Sequence, residues 1–411
     1  MAPAPSILSH PTLAYQPFST IYKLYRLATI LLRFPLWLVK ALIPSLRPLP
    51  TWTFKQTLAR NIAYNMVHTD ATLSITKPLS LAPGKEGPRW TTIHPPSDEQ
   101  QQQQQQQLYT GPMASTTIHP AVIGGTWYST KTTAAAPTGP DSVPKTWTKI
   151  ALHFHGGAFV LGDGRQDATG FLGNLLTRHA GFDAVFAPQY RLAGYGGRDP
   201  FPAALQDCLT AYLYLVRTLG VAPARITVSG DSAGGNLAVG LLRYLERYGE
   251  GGGAGSLLPL PGAVVLLSPW VNPSAAELTD YEGWGLMRTD YLPRAFLVWG
   301  YRAYIRQAAS AEGISEWVDP LGHPFVTQVP VFVSWAGGEV LGVDCARWAA
   351  EMREKRGGAG GDGGWRFEVN VEEGGAPHDT LLAGDVLGWE KSAEEVARKI
   401  RRFCGGETLV R

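Results

Sequence analysis

A serine flanked by small residues, Gly230-Asp231-Ser232-Ala233-Gly234, stands where the apolar run Ile226–Ser229 gives way to a helix-forming stretch that begins at Ala233. Glycines two before and two after the serine let a strand and a helix approach closely while the serine itself occupies a strained turn. That is how a hydroxyl is lifted out of a sheet and offered to a substrate carbonyl. In a chain with 47 glycines and 19 serines, chance alone gives about a quarter of one such match. The pattern therefore takes its meaning from partners: a base to accept the hydroxyl proton, an acid to hold that base, and N–H donors for the oxyanion.

All three occur, in the chain order donors, serine, acid, histidine. His153-Phe154-His155-Gly156-Gly157-Ala158-Phe159 follows the apolar run Ile150–Leu152. Its consecutive glycines allow backbone N–H groups to point at one site unobstructed, so Gly156 and Gly157, with Ala233 after the serine, are the candidate oxyanion hole. His155 is expected to brace this loop and His153 to be structural, while Asp231 supports the turn. The acid should leave the carboxyl end of a late strand. Val329–Trp335 is such a strand, and Glu339 follows it in Ala336-Gly337-Gly338-Glu339. Asp344 competes, but its place suits the start or cap of a helix over Cys345–Lys355. Beyond the last strand, Trp365–Val371, His378 is the sole histidine. Ser232, Glu339 and His378 thus form the expected triad.

These residues resemble the hormone-sensitive-lipase-like branch of the α/β-hydrolases, whose marks are a His-Gly-Gly-Gly segment and a Gly-Asp-Ser-Ala-Gly-Gly turn. The resemblance covers about residues 148–404. It extends to Tyr190-Arg191-Leu192-Ala193, Phe201–Asp207, Leu267-Ser268-Pro269-Trp270 and Asp319-Pro320-Leu321. It implies that Ser232 is nucleophile, Glu339 acid and His378 base, with Gly156, Gly157 and Ala233 as oxyanion donors. Two departures stand out: Ala158 replaces the third glycine, which implies a changed acyl pocket, and Glu339 stands where many relatives have aspartate. Plant gibberellin receptors resemble the family too but have lost the histidine that this chain keeps.

Elements able to position such a site are legible around it. Apolar runs at Asp183–Gln189 and Ala263–Ser268 alternate with helical stretches, which argues an α/β fold with a mostly parallel sheet covered by helices on both faces. Earlier strands over Arg89–His94 and Ala121–Thr130 suit an antiparallel edge. The division expected is a flexible terminus over 1–20, amino-terminal cap or interface helices over 21–88, and a catalytic domain over 89–411. That domain carries a glutamine tract at 100–107, read as a disordered loop, and a cap insertion over about 271–318. In the insertion Tyr281, Trp284, Tyr291, Trp299, Tyr301 and Tyr304 are expected to pack and to line a substrate tunnel. Glycine-rich stretches at 249–255 and 357–364 read as surface loops.

Composition narrows the chemistry. A formal net charge of +2 and the lack of any basic cluster with interleaved aromatics give no reason to expect nucleic acid. Three widely spaced cysteines suggest neither a disulfide framework nor a metal site, and the mechanism asks for no cofactor. Residues 21–46 are rich in leucine and aromatics but interrupted by Lys23, Arg26, Arg33 and Lys40, which fall within about a 100° arc of a helix. This suits a helix in a membrane interface, with Trp37, Tyr22 and Tyr25 near the headgroups, a cap over the site, or both. Pro35 is expected to kink it. The lack of early positive charge over residues 1–20 argues against a cleaved signal peptide, so the expected place is intracellular, cytoplasmic or peripheral to a membrane. The expected substrate is a small hydrophobic ester. Resemblance to fungal α/β-hydrolases of secondary metabolism, including cytochalasan pathways, implies as an alternative deacylation or cyclisation of a pathway intermediate. A ligand-binding module without catalysis is the third reading.

Overall fold

The computed structural model describes residue 13 and residues 15–74, 76, 79–96, 108–130, 135–194, 198–249, 258–305, 313–358 and 365–406. The glutamine tract, most of the 1–20 stretch and most of both glycine-rich stretches lie outside the described residues. Eight strands form one sheet in the order β1-β2-β4-β3-β5-β6-β7-β8. They are β1 (Trp90–Ile93), β2 (Ile123–Tyr128), β3 (Ile150–Phe154), β4 (Ala184–Gln189), β5 (Ile226–Asp231), β6 (Ala263–Leu267), β7 (Val331–Ala336) and β8 (Phe367–Glu372). From β4 to β8 all neighbours are parallel, while β2 pairs antiparallel with both β1 and β4, giving the expected antiparallel edge.

Strands buried on both sides need apolar residues at every position, and successive side chains serve two separate cores. In β3, Ile150, Leu152 and Phe154 join one core and Ala151 the other. The first core is closed by α4 (Ala203–Leu213), α5 (Ala233–Tyr248) and α7 (Gly342–Gly358). The second is closed by α3 (Gln166–Arg178), α8 (Thr380–Leu387) and α9 (Glu390–Gly405). Helix α7 begins three residues before the expected Cys345, so Asp344 lies in its first turn rather than ahead of it. Helix α5 leads back to β6 and α7 to β8 at the amino-terminal edge of the sheet.

A second layer sits over the carboxyl-terminal edge. The segment between β6 and β7 supplies two 3-10 turns, Pro273–Glu277 and Glu282–Arg288, then α6 (Arg294–Ile305) and a one-turn helix, Ser315–Val318. The amino-terminal α1 (Phe18–Leu42) and α2 (Phe54–Leu73) complete it, and α2 packs against α1, α6 and α8. Thr53 caps α2, accepting from the Gln56 N–H while the Gln56 side chain accepts from the Thr53 N–H. Pro35 does not end α1, which runs seven residues past it. Trp37 departs from its expected headgroup position. It shares the side of α1 that carries Ser19 and Ala41, and is buried against the protein.

Candidate active site

Strand β5 ends at Asp231, and Ser232 turns the chain into α5 with φ 52° and ψ −119°, a region that costs a side-chain-bearing residue of order 1–3 kcal/mol. The neighbouring sheet holds it there: the Ser232 N–H donates to the Leu267 carbonyl at 2.9 Å, and its own carbonyl accepts from Trp270 N–H at 2.9 Å. The flanking glycines are required by contact. A Cβ on Gly230 would lie 2.1 Å from the Gly234 carbonyl oxygen, and one on Gly234 would lie 2.0 Å from that of Phe154. Any larger residue would push the helix off the strand.

The loop after β3 turns sharply, with positive φ at Gly157 (110°), Ala158 (52°) and Phe159 (64°). Ala158 pays for this left-handed conformation, yet it is enclosed by α6, where a Cβ on Gly300 would meet Ala158 Cβ at 2.6 Å. His155 Nδ1 lies 2.8 Å from the Gly156 carbonyl, and its ring stacks on Tyr190 at 4.1 Å, while Tyr190 donates its hydroxyl to the His155 carbonyl at 2.7 Å. Burial lowers the pKa of His155, which favours the neutral ring of a bracing group. His153 bridges β3 and β5: Nε2 is 3.0 Å from Asp231 Oδ1 and Nδ1 is 3.2 Å from Ser229 Oγ.

Gly156, Gly157, Ser232 and His378 line one cavity of about 220 Å³, closed by apolar groups that include Val67 of α2, Leu161, Leu292, Phe296 and Leu382. Of the six cap aromatics, Tyr291 lines it; Tyr304 instead stacks on Phe159 at 3.8 Å in the core. Glu339, wholly buried, leaves the end of β7, and its Oε2 stands 3.5 Å from His378 Nδ1, an ion-pair distance longer than a hydrogen bond. The same oxygen accepts from Ser268 Oγ at 2.6 Å and from Ala336 N–H at 3.3 Å. Burial pulls the His378 pKa down, but Glu339, with the charges of Asp290 and Asp231, lifts it above the ordinary 6.5. Asp344 points elsewhere and accepts from Asn272 Nδ2 at 3.0 Å.

A carboxylate pair links the two halves of the site. Asp231 is buried but held below the usual carboxylate range by His153, whereas burial and the charge of Asp231 push Asp379, next to His378, well above it. Asp379 also caps α8, accepting from Leu382 N–H at 3.2 Å. Sequence reasoning gave Ser268 and Asp290 no part at the site. Ser268, one residue past β6 with φ 44°, carried a signal in its position at the end of a central strand; Asp290, in an irregular stretch, carried none. Among the described residues no His, Cys, Asp and Glu group is arranged to hold a metal.

A sequence profile of the α/β-hydrolase fold family matches residues 151–360. The chain is similar to an acetyl-hydrolase of Streptomyces hygroscopicus, 39% identical over 30% of this chain and 36% of that protein. It is also similar to the esterase LipU of Mycobacterium tuberculosis, 29% identical over 62% of this chain and 79% of that one. The chain spans 36%, 64% and 51% of the length of three of its curated relatives. Among solved structures it is similar to an esterase from the bacterial hormone-sensitive lipase family, with a TM-score of 0.55 and 20% identity over 86% of this chain and all of that one. Carboxyl esterase 2 of the fungus Tuber melanosporum is another neighbour, with a TM-score of 0.52 and 19% identity over 70% of this chain and 84% of that one. A profile match spanning half the chain, on a sheet whose parallel strands β5, β7 and β8 lead to Ser232, Glu339 and His378 at one edge, places this protein in the α/β-hydrolase fold family.

Proposed function

We propose that the protein is a serine carboxylesterase acting on a small hydrophobic ester. One observation carries the reading: Ser232, His378 and the two loop glycines share a single apolar cavity, with a buried carboxylate behind the histidine. His378 takes the proton of Ser232 Oγ as that oxygen bonds to the ester carbonyl carbon. The resulting oxyanion is received by the N–H groups of Gly156, Gly157 and Ala233. Collapse breaks the bond to the alcohol, which leaves with the proton from His378. Water then attacks the acyl-enzyme, its proton passing through His378 back to Ser232, and the acid departs. A volume near 220 Å³ suits a short acyl chain.

The test is labelling with a fluorophosphonate probe together with turnover of p-nitrophenyl butyrate. Expected is labelling at Ser232 and loss of both signals in Ser232→Ala. Parental turnover in that variant would sink the mechanism, and absence of labelling in the parent would favour a binding module. Deacylation or cyclisation of a fungal secondary metabolite would use the same serine and histidine and would differ in the fate of the acyl group, which product analysis by mass spectrometry separates.

The same reading includes contact with a membrane surface through α1. Ile21, Leu24, Leu31, Leu32, Leu36 and Val39 are all about half exposed or more, on the side of α1 turned away from α2. Lys23, Arg33 and Lys40 flank the buried side, where their stems reach headgroup level when the apolar side enters the acyl boundary. No helix among the described residues is long and apolar enough to cross a membrane. Co-sedimentation with phosphatidylcholine vesicles, with and without phosphatidylserine, should show binding that rises with anionic lipid and is lost in Leu31→Glu/Leu32→Glu. A dimer in solution broken by those substitutions, without vesicle binding, would instead assign the face to a second copy.

A further inference from the structure

The cap and the triad meet at Thr289 and Asp290. Asp290 sits between the 3-10 turn Glu282–Arg288 and α6 and is wholly buried. Its Oδ1 accepts from the backbone N–H groups of Tyr291 at 2.7 Å, Leu292 at 3.4 Å and His378 at 3.2 Å. Its Oδ2 accepts from Val340 N–H at 2.7 Å. One carboxylate therefore spans the residue after Glu339 and His378 itself. Thr289 Oγ1 donates to the Gly338 carbonyl at 2.7 Å, and Tyr281 donates to the Val340 carbonyl at 3.0 Å, so the acid loop is gripped on both sides of Glu339. From outside, Arg60 of α2 donates to the carbonyls of Asp290, at 2.8 Å, and Met287.

Four N–H groups converging on two oxygens match an ionised carboxylate, which only accepts. An amide has one accepting oxygen, and its NH2 would face an N–H. Burying a charge is costly unless hydrogen bonds satisfy it, so a carboxylate placed here by packing alone would be a liability. We propose that Asp290 is a positioning residue: it fixes the loops of Glu339 and His378 relative to each other and sets a negative charge beside the imidazolium formed during turnover. Through Arg60, the amino-terminal helices are joined to the same clasp. The inference rests on the ester-hydrolase reading for its kinetic readout, but its spectroscopic readout stands apart from it.

The groups facing His378 are the carboxyls of Glu339, Asp290, Asp231 and neighbouring Asp379, and the ring of Tyr291 at 6.2 Å. The experiment compares Asp290→Asn and Thr289→Val with the parent in kcat, KM and pH profile on p-nitrophenyl butyrate. His378 ring titration is followed by NMR on histidine-labelled protein, its signal assigned with His378→Gln. Asp290→Asn should lose about tenfold or more in kcat with KM little changed, and the His378 titration and the acid limb of the profile should both move to lower pH. Thr289→Val should lose about threefold in kcat with the titration unmoved. A folded Asp290→Asn with parental kcat and parental titration overturns the proposal, as does a loss confined to KM. Should Asp290→Asn not fold, Thr289→Val decides: parental kcat there refutes the clasp. If the parent neither hydrolyses nor labels, the ester reading fails, while the movement of the His378 signal still decides the role of Asp290.

Discussion

Replacing Gly156 by alanine adds one methyl group between the loop after β3 and the Ser232 turn. Its Cβ would lie 2.2 Å from Asp231 Oδ2 and 3.0 Å from Ser232 Cβ. Contacts of real Cβ atoms stop near 3.0 Å, so something must move by about 0.8 Å. Asp231 is poorly placed to yield, because it is wholly buried and its other oxygen is held by His153 at 3.0 Å. Gly156 has no left-handed φ, so alanine suits its backbone and the effect is one of contact. The displacement falls on the proposed oxyanion loop or on Ser232. Misplacement of order 1 Å costs about 100-fold in rate, or about 2.7 kcal/mol of transition-state stabilisation, and overpacking costs about 1–3 kcal/mol in stability. Steady-state hydrolysis of p-nitrophenyl butyrate and a thermal melt of Gly156→Ala measure both. Parental melting with kcat/KM within about threefold of the parent would refute the reasoning, because the loop would then not form the oxyanion site.

The proposed mechanism needs neutral His378, whose pKa the fold raises, so kcat/KM should climb with pH through a midpoint above 6.5, and Glu339→Gln should move that midpoint down. A midpoint at or below 6.5 in the parent contradicts this. The same shift adds stability that is complete below pH 6.5 and is lost as pH rises through the higher folded value; His378→Gln should therefore destabilise more at pH 6 than at pH 9 in urea titrations. Glu372 is a separate case: burial lifts it from 4.5 to about 7, and both Thr380 and Ser392 donate to its Oε2, at 2.7 and 2.5 Å. The cost of its charge is absent below pH 4.5 and complete above pH 7, so Glu372→Gln, which keeps one accepting oxygen, should gain about 3 kcal/mol at pH 8 and almost nothing at pH 4. An equal effect at both pH values would show that the carboxyl is not desolvated.

Much of the fold could be read because parallel strands buried on both faces leave uninterrupted apolar runs. Ile226 to Ser229 and Val329 to Trp335 announced themselves, and the strand edges moved by only a residue or two. The neighbourhood of Ser232 could be read because a strained turn demands small residues at fixed offsets. Asp290 could not, since the partners that tie it to the site are backbone groups 50 and 88 residues away, which no local pattern announces. Trp37 was misplaced for a related reason. Periodicity tells which residues share a face of α1, but only the docked α2 decides which face looks inward.

All the proposed catalytic groups leave the carboxyl ends of strands, whereas α5 and α7 end, and β6 and β8 begin, at the opposite edge. The protein is thus two-sided in its tolerance of change. Substitutions at those helix ends and strand starts reach the nucleophile only through the length of the sheet, while the other edge admits hardly a methyl group.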